Sequence, residues 1–527
     1  MPPARIGRVS LVEGNVDLRV SDDTRWVDGA VNQPVYEGEA LRSDSQARAG
    51  IEIGANTLDL ANGTEIKVAA LRDRFTQIAL SRGRVYLHLR QFADGESVEI
   101  DLPQGGVWLL ARGVYDIDAG SGDQPPRISV FQGKAQFAGA AGDWRVEDGQ
   151  TATSAGPGAR AAKIAPAVRD EFAQSCGKRD YDVTRLASSY YVSSNMTGFA
   201  ELDAAGVWKS NPQYGPVWFP TTSQDWVPYR FGHWNWMAPF GWTWIDDQPW
   251  GFAPSHYGRW AFIDGHWAWA PGSFVARPLY APGVVAFLGT RGVGLSSEDG
   301  AAIAWFPLAP GEAYWPVYTR DLDYVRTLNR ANVPDVQAIR MHADGSPPLE
   351  VVNEDFANRQ FASVVLRSVF VNGRPVAPAR IGLPEQRLQD APVLMGSPQI
   401  GPPSARLVAR VATPAVTAPA THVATSAVKA PATHVAASAI KASTIRAATS
   451  AAVKPSTIRV AMRLARKAAA KSVRAASLEP RRRGQPAVPR GAHLRAPSYA
   501  GQPHGRQTLI VRAAQTTHGG VGKETRH

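Results

Sequence analysis

Cysteine, long apolar runs and, toward the C-terminus, acidic residues are scarce in this sequence, and each shortage excludes something. Cys176 is the one cysteine among 527 residues. No intrachain disulfide can form, and a cysteine-built zinc site is ruled out. A membrane-crossing helix needs about 18 or more consecutive apolar residues, and the best run, Val284–Leu288, is far shorter. The opening Met1-Pro-Pro-Ala-Arg-Ile6 has no basic segment followed by an apolar one, so no signal peptide is visible. HExxH, P-loop and GxSxG sequences are absent. Gly289-x-x-Gly292-x-Gly294 has no strand of Rossmann type before it, so it is set aside.

Residues 401–527 hold 21 Lys and Arg against two acidic residues, Glu479 and Glu524. The pI of 9.7 therefore belongs to the tail, because the first 400 residues carry a net charge of −8. From about 379 to the end the chain is Ala, Pro, Thr, Ser, Lys and Arg, with short internal repeats such as Ala-Pro-Ala-Thr-His-Val-Ala at 418–424 and 430–436. Such a composition buries too little apolar area to offset its ordering entropy, and the expectation for 379–527 is disorder. The tail is either a solvated tether or a contact for an anionic surface, with Arg481, Arg482 and Arg483 as its densest cluster. Nucleic acid is the corresponding partner if the protein is cytoplasmic.

Aromatic residues are where the sequence is rich. Eleven of its 16 tryptophans fall between Trp208 and Trp269. Around them the unit Gly-x-Trp-x-aromatic recurs, as Gly232-His-Trp234-Asn-Trp236, Gly258-Arg-Trp260-Ala-Phe262 and Gly265-His-Trp267-Ala-Trp269, and one residue shorter as Gly241-Trp242-Thr-Trp244. Rings two residues apart on a strand share a face. Glycine before each strand and proline after many of them divide the segment into short hairpins. Units only about ten to fifteen residues apart cannot fold singly, so they must stack.

Ahead of this block, residues 5–150 read as short β runs, among them Ile6–Val12, Asn15–Val20, Val85–Leu89 and Val98–Leu102, separated by glycine turns. The pattern predicts an antiparallel sandwich or solenoid-like barrel. Residues 151–189 read as a linker with a short helix bearing Phe172. The Trp-rich domain spans 190–275, and 276–378 is its mixed β and turn extension. The fold class expected is all-β.

Two resemblances rest on these residues. Gly7-Arg8-Val9, Gly14-Asn15-Val16, Leu41-Arg42-Ser43, Asn62-Gly63-Thr64, Ser81-Arg82-Gly83, Ala111-Arg112-Gly113-Val114 and Phe131-Gln132-Gly133 occur in the order seen in FecR-like domains, and residues 5–150 resemble one. Gly206-Val207-Trp208, Tyr214-Gly-Pro-Val-Trp218-Phe-Pro220, Trp226-Val-Pro228, Pro249-Trp250-Gly-Phe-Ala-Pro254 and Trp267-Ala-Trp269-Ala-Pro271 resemble the Trp-rich domain of unknown function that is found after FecR-like domains in proteobacterial envelope proteins. The resemblance implies export to the periplasm or cell envelope. The chain shows no signal segment, and its strand pattern begins by Ile6, so an upstream start is expected. FecR-like domains are associated with signalling to sigma factors, which also needs a membrane anchor and an anti-sigma segment. Neither is visible, so that activity is not carried over.

Two roles are open for the indoles. They form the core, each burying roughly 200 Å², or some line a groove and stack on sugar rings. The candidates for stacking are Trp234, Trp236, Trp242, Trp244, Trp260, Trp267 and Trp269, with Asp246, Asp247 and Asp264 as polar partners. Adjacent Asp246 and Asp247 point to opposite faces of a strand, which suits a turn before Pro249 better than paired-carboxylate catalysis. His233, His256 and His266 match no zinc spacing and are read as structural, so no metal or cofactor is expected. The expectation is a non-catalytic envelope scaffold or ligand-sensing protein, with peptidoglycan, an envelope polysaccharide or another envelope protein as partner. Its alternative is a carbohydrate-binding or carbohydrate-active protein.

Overall fold

The structure is a computed structural model that describes residues 3, 5–20, 25–121, 124–139, 142–154, 161–180, 182–290, 294–340, 350–351, 355–394, 396, 398 and 400–401. The expectations for residues 402–527, Arg481, Arg482 and Arg483 among them, fall outside these.

Period-two alternation builds the N-terminal part. In Ser97–Leu102 the side chains of Val98, Ile100 and Leu102 are buried, and those between them face outward. Among the described residues two nine-stranded sheets form in this way. Val9, Leu60, Val85, Ile117 and Ile128 of one sheet share a core with Leu18, Ile66, Leu80, Ile100 and Phe137 of the other. The result is a sandwich. Its pairings are antiparallel except that Ser97–Leu102 runs parallel to Phe75–Arg82.

The sandwich does not end at 150. Strands Gln150–Ser154 and Ala162–Pro166 pair and complete one sheet, where a linker was expected. The outer strand is an exposed edge, so it has no apolar alternation to betray it. Helix Glu171–Lys178 comes next, started by the Asp170 carboxylate, which accepts from the Ala173 amide. It seats Phe172, Ala173 and Cys176 against Tyr86, Val114 and Phe131.

The tryptophan block is built from a longer repeat than the ten to fifteen residues expected. Gly206-x-Trp208, Gly232-x-Trp234 and Gly258-x-Trp260 each open a hairpin, and the glycines stand 26 residues apart (206, 232, 258). In each hairpin the first indole faces another across the strands: Trp208 and Trp218, Trp234 and Trp244, Trp260 and Trp269. The opening glycine gives the second indole room to lie down. A β-carbon on Gly258 would meet Trp269 Nε1 at 2.5 Å, and one on Gly206 would meet Trp218 Cε2 at 2.6 Å. The outer two hairpins join through Trp218 and Trp269 into a four-stranded sheet, and the middle one remains a two-stranded sheet.

The rings stack into one core with the strands that come after them. Trp234 packs edge-on against Trp244 and Trp305 and on Phe287 and Phe370. Strand Val285–Leu288 lies between Gly300–Pro307 and Val393–Leu394. Ile400 is buried, and its carbonyl accepts from Trp242 Nε1 at 2.8 Å. The core therefore takes in Val393, Leu394 and Ile400, past the boundary expected at 379.

A buried polar joint fixes this tryptophan core to the sandwich. Arg8 of strand Gly7–Glu13 binds Glu52 and the Asn32 carboxamide, and reaches Glu201 and the Pro249 carbonyl beyond the sandwich. Asn32 in turn donates to the carbonyls of Asp246 and Gln248. Alongside, Thr197 Oγ1 donates to the Ile6 carbonyl, and the hydroxyls of Tyr36 and Tyr280 meet at 3.3 Å.

Candidate functional site

Six of the seven indoles proposed for stacking are core. Trp234, Trp242, Trp244, Trp260, Trp267 and Trp269 are each 6% exposed or less, so no ring face is free to cover a sugar. Four of the six indole N–H groups point at internal acceptors, that of Trp242 at the Ile400 carbonyl. Trp244 donates to Asp246 Oδ2 at 2.9 Å, Trp260 to the Pro254 carbonyl and Trp269 to the Tyr257 carbonyl. Trp236 is half-buried and packs edge-on against Trp242.

The three aspartates separate. Asp246 ends strand Gly241–Asp246 inside the protein and accepts from Trp244, from the Gln248 amide and from Ser255. Burial pushes its carboxyl up to about 7, while those donors pull it back. Asp247, the next residue, is exposed. Asp264 lies at the exposed turn between strands Arg259–Ile263 and His266–Ala270, with φ +50°.

The histidines also go separate ways. His256 is enclosed between Phe252 and Tyr280, shares a hydrogen bond with the Ala281 carbonyl, and is held down at about 3 by burial. Burial likewise lowers His233 to about 4. His266 is exposed in the Asp264 turn. Among the described residues no cluster of three His, Cys, Asp or Glu side chains could hold a metal ion.

One exposed feature draws on the predicted residues. At the end of the four-stranded sheet, a groove of about 600 Å³ runs between the turn 263–266, the hairpin end 209–212 and the loop 222–226. Trp267, Trp226 and Phe219 supply its rings. Lys209, whose ammonium lies 4.7 Å from the Phe219 ring centre, stands with Asn211, Ser223, Gln224, Asp264 and His266 around it. Trp226 is 5% exposed, and its Nε1 has no acceptor among the described residues. Of the seven tryptophans and three aspartates expected, the groove gathers Trp267 and Asp264. Lys209, Asn211, Gln224 and Trp226 were missed because hairpin pairing, not sequence proximity, brings them together.

No curated protein matches the chain. Two crystal structures of a candidate anti-sigma factor from Parabacteroides distasonis ATCC 8503, at 2.50 and 1.65 Å, are similar to part of it. They show 13% and 11% identity over 26% and 27% of this chain, with a TM-score of 0.22 in each case. The chain spans 62% and 64% of their length. Residues 199–312, which begin in the tryptophan block and run through strand Gly300–Pro307, match a family of unknown function, DUF6600.

Proposed function

We propose that this chain is a non-catalytic binding protein of the cell envelope, and that the groove at the end of the four-stranded sheet takes a saccharide chain. The observation behind this reading is the groove's composition. Trp226, Trp267 and Phe219 are its aromatic lining, and ammonium, amide, hydroxyl, carboxylate and imidazole groups line it with them. A sugar presents the matching mixture of C–H patches and hydroxyls, and peptidoglycan or another envelope polysaccharide is the corresponding polymer. The envelope location rests on the resemblance to FecR-like and Trp-rich envelope proteins. The basic tail, with Arg481, Arg482 and Arg483, adds a salt-sensitive contact with an anionic surface.

The test is calorimetric titration with soluble peptidoglycan fragments, with the fragments recovered and weighed by mass spectrometry. Saturable binding with intact fragments is expected, weakened about tenfold by the pair Lys209→Ala and Asp264→Asn. Bond cleavage, absent binding, or affinity indifferent to that pair would overturn the reading.

A further inference from the structure

A second cleft, distinct from the groove, lies where the sandwich meets the tryptophan core. We infer that it is a site for a small organic anion with an apolar body. Sheet topology brings its cations together. Arg90 comes directly after strand Arg84–Leu89 and Arg112 directly before strand Gly113–Asp118, and Leu89 is the register partner of Gly113. The two arginines therefore flank each other at one end of one sheet. Arg5, just before strand Gly7–Glu13, joins them from the sandwich, and Arg277 closes the cleft from the far side.

Four guanidinium groups thus line a space of about 350 Å³ against two lining carboxylates, Asp73 and Glu96. That volume falls within the range of roughly 300–1,000 Å³ for small-molecule sites. Both carboxylates are engaged: Glu96 binds Arg5 at 3.0 Å and Asp73 binds Arg277 at 3.1 Å. Arg90 is fixed in place, donating to Asp180 at 2.8 Å and to the Ala55 carbonyl at 2.9 Å. Arg112 is exposed and makes no ion pair among the described residues. Three of the four arginines are thus each ion-paired, Arg90 with Asp180 from outside the lining, and Arg112 supplies the positive excess. Guanidinium groups in such an arrangement suit carboxylate or phosphate oxygens.

The rest of the lining mixes polar Gln91, Asn195, Thr197 and Tyr257 with an apolar set. Ile6, Ile53, Phe92, Pro278 and Leu279 are contributed from both sides of the joint. An inorganic ion would leave this surface unused, and a neutral apolar molecule would leave the arginines unused. A ligand with an apolar body and one phosphate or carboxylate uses both. The sandwich and the tryptophan core each supply part of the site, so the buried joint around Arg8 also fixes its shape.

Calorimetry on the full chain tests this with phenyl phosphate, phenylacetate, benzyl alcohol and inorganic phosphate. One or both organic anions are expected to bind at least about tenfold tighter than benzyl alcohol and inorganic phosphate, with affinity falling as salt rises. Their ranking distinguishes a phosphate ligand from a carboxylate one. Arg112→Ser with Arg277→Ser, both at exposed positions, is expected to abolish the preference while leaving the melting temperature unchanged. Asp264→Asn, in the sheet-end groove, is expected to leave it intact, so failure here and failure of the saccharide reading are separable. Absence of binding by both organic anions, equal binding of anion and alcohol, or an unchanged preference in the double variant would overturn the inference.

Discussion

Arg8 and Glu52 are register partners on neighbouring strands, and their side chains form a 2.6 Å ion pair with 1% and 3% of each exposed. The pair is also the joint between the sandwich and the tryptophan core. Arg8 reaches Asn32, Glu201 and the Pro249 carbonyl, and Glu52 Oε1 accepts from the Gly198 amide at 3.0 Å. Burial drives the Glu52 carboxyl upward, and Arg8 works against it. The two carboxylates hold the guanidinium charged in spite of its burial.

Removing one partner of such a pair leaves an uncompensated buried charge, which costs about 3–5 kcal/mol. Arg8→Met should lose that much stability in a denaturant titration. Arg8→Met with Glu52→Leu should recover part of the loss, since neither charge remains. A single variant within about 1 kcal/mol of the parent would show that the joint contributes little.

The hairpin glycines give a contrast between two positive-φ positions. Gly215 has φ +73° and open space around it, whereas a β-carbon on Gly258, φ +67°, runs into Trp269 Nε1 and the Ala270 carbonyl. Gly215→Ala should cost only the backbone strain, about 1 kcal/mol. Gly258→Ala should cost at least about 2 kcal/mol more, because the core cannot absorb the displaced indole without strain. Equal melting-temperature shifts for the two would contradict this packing.

Stability should depend on pH through Glu39. The residue is 1% exposed, its Oε2 accepts from the Tyr36 amide, its Oε1 has no partner among the described residues, and burial raises its carboxyl to about 8. The neutral form is thus favoured on folding. Its contribution is fully present below the ordinary value of about 4.5 and is lost as pH rises toward 8, at roughly 1 kcal/mol per unit. Glu39→Gln should therefore gain on the parent from pH 5 to pH 8 and hold that gain above it. A difference independent of pH would refute the assignment. His256 acts in the opposite sense: its lowered value means stability present above about 6.5 and lost as pH falls toward 3.

The C-terminal limit of the core is open to truncation. A chain ending at residue 401 should melt like the full chain. One ending at residue 391 loses strand Val393–Leu394 and the Ile400 carbonyl that accepts from Trp242, and should melt several degrees lower. Identical melting of the two would place the limit nearer the 379 expected from composition.

Much of this architecture is legible in the sequence, and the illegible parts have physical reasons. Alternation marked the strands, and tryptophans two residues apart announced same-face pairs such as Trp234 and Trp236. The repeat of Gly206, Gly232 and Gly258 was also visible as a spacing of 26 residues, but Gly215, Gly241 and Gly265, which stand at or directly before the start of the return strands, masked it. Strand Ala162–Pro166 was hidden by its exposure, and Val393–Leu394 by its length of two residues. The joint was beyond reach, because Arg8 and Pro249 are 241 positions apart and an arginine in an alternating strand looks like any outward residue. The groove was half legible: Asp264 and Trp267 came from the aromatic repeat, whereas Lys209 and Gln224 look like ordinary surface.

In the proposed function the tryptophans build the protein, and a minority at one groove meet its ligand without chemistry. Indole N–H spectra of tryptophan-labelled protein, recorded in D₂O and then with a soluble peptidoglycan fragment, test both halves. Slow exchange is expected for Trp244, Trp260, Trp269 and Trp305, whose N–H groups are bonded internally. Fragment-induced shifts are expected only at Trp226 and Trp267, with the fragment unchanged. Rapid exchange of those four indoles, or shifts spread over Trp234, Trp242 and Trp244, would contradict the proposed function.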